Sequence, residues 1–131
     1  MTQMVIIGGG QAAGQAVASL RQEGFDGKIV LIGDESTLPY QRPPLSKAYL
    51  SGAVPAEKLL VRPEKFYQDR DVDVHLDTTV TAVDPDQKKV TTTEGSFDFD
   101  KLLIATGSTP RKLSIPGSDL NGIHYLRTMA D

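Results

Sequence analysis

Residues 4–7, Met-Val-Ile-Ile, form a short apolar run rich in β-branched side chains, and Gly8, Gly9 and Gly10 follow at once. Such a run, closed by glycine, predicts a buried strand ending in a tight turn. Ala13, Ala16, Val17 and Leu20 then fall at i, i+3, i+4 and i+7, the single apolar stripe of a helix, and Gly24 supplies its stop. Residues 28–33 read as a second buried strand, which delivers the chain to an acidic pair, Asp34 and Glu35.

The pattern then loosens. Residues 45–52 predict a short helix, with Pro44 near its first position and Gly52 beyond its end. Residues 58–61 predict a brief strand. Residues 62–69 predict a helix begun by Pro63, with Phe66 turned inward. Val72, Val74 and Leu76 alternate along residues 71–76 as in a half-buried strand. Residues 79–83 and 89–95 flank the turn signal Asp-Pro-Asp-Gln-Lys and predict a hairpin, and Phe97 and Phe99 alternate in residues 96–100. Residues 101–107 predict one more buried strand running into Gly107. The expected fold class is therefore α/β: a Rossmann-like domain with a central parallel sheet and an inserted antiparallel β-meander.

Composition narrows the function classes. A net charge of -3, with no basic stripe, argues against a general affinity for nucleic acid or anionic lipid. The chain has no cysteine, which excludes disulfides, thiolate metal sites and a dithiol redox centre, and fits a cytoplasmic protein. The N-terminus passes directly into the first apolar run, so no signal peptide is expected, and no stretch is long enough to span a bilayer.

The first forty residues carry the chemistry. Gly8-x-Gly10-x-x-Ala13, placed between strand and helix and followed by a second strand and an acid, is a dinucleotide-binding fingerprint. Gly8 permits the turn. Gly10 lets the backbone approach a pyrophosphate over the helix N-terminus, where free N–H groups and the dipole favour an anion. Ala13 allows the helix to pack close to the sheet. A carboxylate ending the second strand accepts hydrogen bonds from an adenosine ribose; Asp34 is the first candidate and Glu35 the reserve. The competing reading is a plain glycine turn, and the fingerprint alone does not separate FAD from NAD. Ala105, Thr106, Gly107 and Ser108 end the last strand with small residues, which lets the backbone pass close to a cofactor beside the first turn. His75 is expected on the polar, exposed side of its strand, His124 has no partner in view, and Tyr40 is expected to serve packing.

Residues 33–52 (Gly-Asp-Glu-Ser-Thr-Leu-Pro-Tyr-Gln-Arg-Pro-Pro-Leu-Ser-Lys-Ala-Tyr-Leu-Ser-Gly), residues 102–111 (Leu-Leu-Ile-Ala-Thr-Gly-Ser-Thr-Pro-Arg) and residues 125–131 resemble the putidaredoxin-reductase-like flavoprotein ferredoxin reductases, and the resemblance covers nearly the whole chain. It implies an FAD-binding segment of an NADH-dependent enzyme that passes electrons through FAD to a [2Fe-2S] ferredoxin serving an oxygenase or cytochrome P450. By the same resemblance the backbone at Ala12 meets the FAD pyrophosphate, and Asp34 takes the ribose. Val80 meets the adenine through its backbone, and Thr106 and Gly107 line the cofactor. Arg42, Lys47 and Arg127 also contact it. The prolines would then fix the loop that presents Arg42 and Lys47. Enzymes of this kind carry further NAD-binding and interface domains, so residues 1–131 are expected to be one incomplete FAD-binding domain segment. The alternatives are an isolated nucleotide-binding module without catalysis, with self-association through exposed apolar surface, or the FAD half of another flavoprotein NADH oxidoreductase.

Overall fold

A computed structural model describes all of residues 1–131. The elements run β1 (Gln3–Ile7), α1 (Gln11–Gln22), β2 (Lys28–Ile32), α2 (Glu64–Asp69), β3 (Val72–His75), β4 (Val80–Asp84), β5 (Lys89–Thr92), β6 (Gly95–Asp98) and β7 (Lys101–Ile104). Four strands form a parallel sheet in the order β3-β2-β1-β7, and β4, β5 and β6 form a separate antiparallel sheet in sequence order. The α/β class with its inserted meander is as the hydrophobic pattern predicts.

Alternation along the strands explains the layering. Ile6, Ile29 and Leu31 face one way and pack with Ala13 and Val17 of α1 and Tyr67 of α2. Val5, Ile7, Val30 and Ile32 face the other way, against Val90 of the meander, with Val80, Phe97 and Phe99 packed around them. Helices cover one face of the sheet and the meander covers the other, so β1 and β2 are apolar on both sides.

The chain divides into two compact units: residues 1–41 with 60–107, and residues 42–59 with 108–131. The first unit holds every helix and strand named above. An isolated bridge between Tyr40 and Leu60, and the Val61 N–H donating to the Pro39 carbonyl at 2.9 Å, tie its chain on either side of residues 42–59.

Several local expectations need correction. Residues 45–52 do not form a helix. A four-residue 3-10 turn spans Pro43–Ser46, Lys47 breaks it at φ −131 and ψ −113, and turns follow to Gly52 at φ +77. Pro43 and Pro44 fill first positions, where a missing N–H is tolerated, and the departure from helix comes at the backbone of Lys47. Residues 58–61 are not a strand; a 3-10 turn, Ala56–Leu59, leads into the single Leu60 bridge. In α2 the inward position belongs to Tyr67, 2% exposed, while Phe66 packs at the margin with the Arg70 guanidinium 4.3 Å from its ring centroid. The predicted strand 89–95 turns after Thr92, and residues 96–100 pair only through Asp98. β7 forms but is not buried: Leu103 and Ile104 are 37% and 62% exposed, because β7 is the last strand of its sheet. His75 is half-buried, its ring 4.7 Å from that of Phe97, because the polar side of β3 is the side the meander covers.

Candidate functional site

The site begins where β1 ends. Gly8 stands at φ +123, a backbone that side chains rarely adopt, and its N–H donates to the Ile32 carbonyl at 2.8 Å. A Cβ on Gly8 would overlap the Ala105 carbonyl, so the glycine turn and the end of β7 lie in direct backbone contact. The Ala105 N–H completes that join by donating to the Ile7 carbonyl at 2.7 Å. Thr106 and Gly107, at φ +69, follow in exposed backbone. The structure thus brings Gly8, Ala105 and Thr106 together, as the sequence pattern predicts for the small-residue strand end.

Gly10 is the extended N-cap residue of α1, at φ −91 and ψ −169, and it uses no side chain to cap the helix. Its carbonyl accepts the first helical bond, from Gly14 N–H at 3.1 Å. The N–H groups of Gln11, Ala12 and Ala13 therefore begin the helix without intrahelical partners, at the end where the dipole favours negative charge. Ala12 is exposed there and Ala13 is fully buried against the sheet.

Three further glycines shape this corner. Gly9 and Gly33 lie backbone to backbone, and a Cβ on Gly9 would sit 3.3 Å from the Gly33 Cα. A Cβ on Gly14 would sit 2.7 Å from Pro39 Cβ, so Pro39 rests on α1 at the helix's one glycine. Sequence reasoning missed these roles. The signals were a glycine directly before the acidic pair, and a glycine inside a helix, where it costs stability unless something packs on it.

Asp34 and Glu35 separate cleanly. Glu35 accepts a hydrogen bond from Tyr40 Oη at 2.6 Å, and Tyr40 is 1% exposed, so this tyrosine serves packing as expected. Asp34 is exposed at the end of β2, and its carboxylate makes no hydrogen bond or ion pair. Val80 opens β4, the outer strand of the meander, and pairs with Thr92. The adjacent residues Thr79 and Thr93 are joined by Thr93 N–H donating to the Thr79 carbonyl at 3.0 Å. Antiparallel alternation then turns the N–H and C=O of Val80 away from β5.

The three basic candidates belong to the second unit. Arg42 and Arg127 meet there: Arg42 Nη1 donates to the Arg127 carbonyl at 2.9 Å, and Arg127 Nε donates to the Ser108 carbonyl at 3.0 Å. Asp131 Oδ2 accepts from the N–H groups of Arg127 and Thr128, both at 2.7 Å, and these bonds hold its pKa below the usual carboxylate value. Lys47 is exposed, with Nζ folded back to within 3.3 Å of the Pro43 carbonyl. His124 is exposed. No group of three or more His, Asp or Glu side chains is placed to hold a metal ion, and no helix is long and apolar enough to cross a membrane.

A parallel sheet with a glycine turn at a helix N-terminus, and an acid at the end of the next strand, defines a Rossmann-like dinucleotide-binding fold, here with a meander in place of helices on the second face. Residues 2–131 match the pyridine nucleotide-disulphide oxidoreductase family, and the chain belongs to it. It is 44% identical over 129 residues to a ferredoxin–NAD(P)(+) reductase of Sphingomonas sp., covering 98% of this chain and 31% of that protein. Among solved structures it is similar to the ferredoxin reductase for the CYP199A2 system of Rhodopseudomonas palustris, at 39% identity and a TM-score of 0.91, covering 99% of this chain and 32% of that one. It is also similar to the reductase in a covalent putidaredoxin reductase–putidaredoxin complex, at 38% identity and a TM-score of 0.86, with the same coverage. The chain spans about a third of the length of the relatives it matches.

Proposed function

We propose that this chain is the FAD-binding part of an NADH-dependent ferredoxin reductase, a cytoplasmic flavoprotein whose whole length delivers electrons to a [2Fe-2S] ferredoxin of an oxygenase or cytochrome P450 system. The observation that carries this reading is the route from β3 to β7. A domain built only from βαβ units would make that crossover with a helix; here it is an antiparallel meander packed on the sheet, and β7 returns beside β1 with its end pressed against Gly8. The similarity to ferredoxin and putidaredoxin reductases supports the choice of partner.

The residues present fit the cofactor. Gly8 lets the turn pack against the end of β7, Gly10 caps α1 without a side chain, and the N–H groups at Gln11, Ala12 and Ala13 offer donors to a pyrophosphate. Asp34 orients the adenosine ribose, Val80 presents backbone to the adenine, and Ala105, Thr106 and Gly107 line the cofactor. Arg42, Lys47 and Arg127 keep the cofactor contacts that the family resemblance gives them, Arg42 and Arg127 as a tied pair. FAD, when bound, supplies acceptance of two electrons from a nicotinamide and their release one at a time to an iron–sulfur protein. The protein's share is binding, orientation and charge: Lys47 carries the positive charge suited to an anionic reduced flavin, and no side chain is assigned as acid or base.

Replacing Asp34 with alanine is expected to weaken ADP binding by on the order of tenfold, the worth of charge-assisted ribose hydrogen bonds, with the melting temperature unchanged. Calorimetric titration of ADP measures this, and equal affinities would overturn the ribose assignment.

A further inference from the structure

The free carboxylate of Asp34 sits on a loop that is anything but free. Beyond the last paired residues of β2 and β3, Gly33 N–H donates to the His75 carbonyl at 2.9 Å, and Thr78 N–H donates back to the Gly33 carbonyl at 2.9 Å. Past Asp34, the Asp77 N–H donates to the Glu35 carbonyl at 3.1 Å, and Ser36 Oγ donates to Asp77 Oδ1 at 2.7 Å. Thr78, 3% exposed, closes the turn with Oγ1 donating to the Leu76 carbonyl at 2.8 Å. The backbone on each side of Asp34 is therefore fastened to residues 75–78, while its own side chain makes no bond.

Asp77 stands at the centre of this fastening in a left-handed conformation, φ +51. Outside glycine, that backbone is best tolerated by Asn and Asp, whose side chains bond locally. The conformation aims its N–H at Glu35 while its carboxylate takes Ser36. Neither contact is needed to pair β2 with β3, which are already in register through Ile32 and His75.

We infer that Asp77, through Ser36, is a positioning residue that holds the Asp34 carboxylate ready for the two hydroxyls of an adenosine ribose. The inference rests on the ribose reading of Asp34 given above. A carboxylate on a loose loop would lose ordering entropy on binding, whereas one on a fastened loop spends less of its interaction on becoming ordered.

The test compares ADP with 2′,3′-dideoxy-ADP, which lacks both ribose hydroxyls, on the 131-residue chain by calorimetry or NMR titration. Wild type should favour ADP by about tenfold, from hydrogen bonds to a charged acceptor. Asp77→Gly keeps the positive φ and removes the carboxylate; Ser36→Ala breaks the same bond from an exposed position and serves should Asp77→Gly fold poorly. Both should bring the ratio toward one while leaving dideoxy-ADP affinity unchanged, and Asp77→Asn, which keeps an acceptor and tolerates the backbone, should restore it. A tenfold ratio that persists in both variants would overturn the positioning role alone. A ratio near one in wild type would overturn the ribose reading of Asp34 and this inference with it.

Discussion

Tyr67 shows what a single buried group does to this fold. Its ring fills the core between α1, α2 and the sheet, but its hydroxyl has no hydrogen-bond partner. Burial pushes its pKa up to about 12, with the Arg62 charge acting in the opposite direction. The folded state thus favours the protonated phenol relative to an unfolded tyrosine near 10. The stability tied to this proton is complete below pH 10 and is lost as pH rises toward about 12. One of the four tyrosines should therefore ionise late in an alkaline absorbance titration. Tyr67→Phe should remove that late step and raise stability by on the order of 1 kcal/mol, because no hydrogen bond is lost and an unpaired hydroxyl is no longer buried. Denaturant unfolding at neutral pH checks this; a destabilised Phe variant would mean that the hydroxyl is satisfied in solution.

Among the elements, α1 is fixed at its C-terminal end by contacts that periodicity does not reveal. At its C-terminus the Arg21 guanidinium donates to the carbonyls of Phe25 and Gly27 at 2.7 and 2.8 Å, and to those of Arg70 and Asp71 at 3.0 and 3.3 Å. One planar fork thereby joins the end of α1, the approach to β2 and the approach to β3. Arg21→Ala should cost about 2–4 kcal/mol, given four charge-assisted bonds of which two are part-buried, and Arg21→Lys should recover little, since an ammonium cannot reproduce the fork. A loss below about 1 kcal/mol in thermal or denaturant unfolding would contradict this account.

The same scale shows what could be read from sequence. β1, α1 and β2 were legible because apolar period and glycine punctuation agree over thirty residues, and the places of Gly8, Gly10, Ala13 and Asp34 in the fold came with them. The stretch from Pro43 to Val61 was not, because its short apolar runs fit helix and strand equally. Phe66 and Tyr67 are neighbours, and in a six-residue helix no stripe is long enough to tell which turns inward. Burial of β7 was overestimated because Leu-Leu-Ile reads the same in a central or an edge strand. The hydrogen bonds from residues 75–78 to the Asp34 loop leave no composition signal at all.

At the scale of the whole molecule, β7 ends its sheet with Ile104 62% exposed and its outer edge unpaired. An exposed apolar strand edge is a template for pairing with another chain. We expect the 131-residue chain to self-associate reversibly as concentration rises, and Ile104→Lys to suppress this in sedimentation velocity; identical association of variant and wild type would place the contact elsewhere.

The central claim is that these residues form an FAD-binding unit, and the visible absorption spectrum of the purified chain, after addition of FAD and removal of the excess, tests it most directly. The account predicts a retained flavin band, reduced in Asp34→Ala. A colourless chain that also shows no change in flavin fluorescence during FAD titration would contradict it.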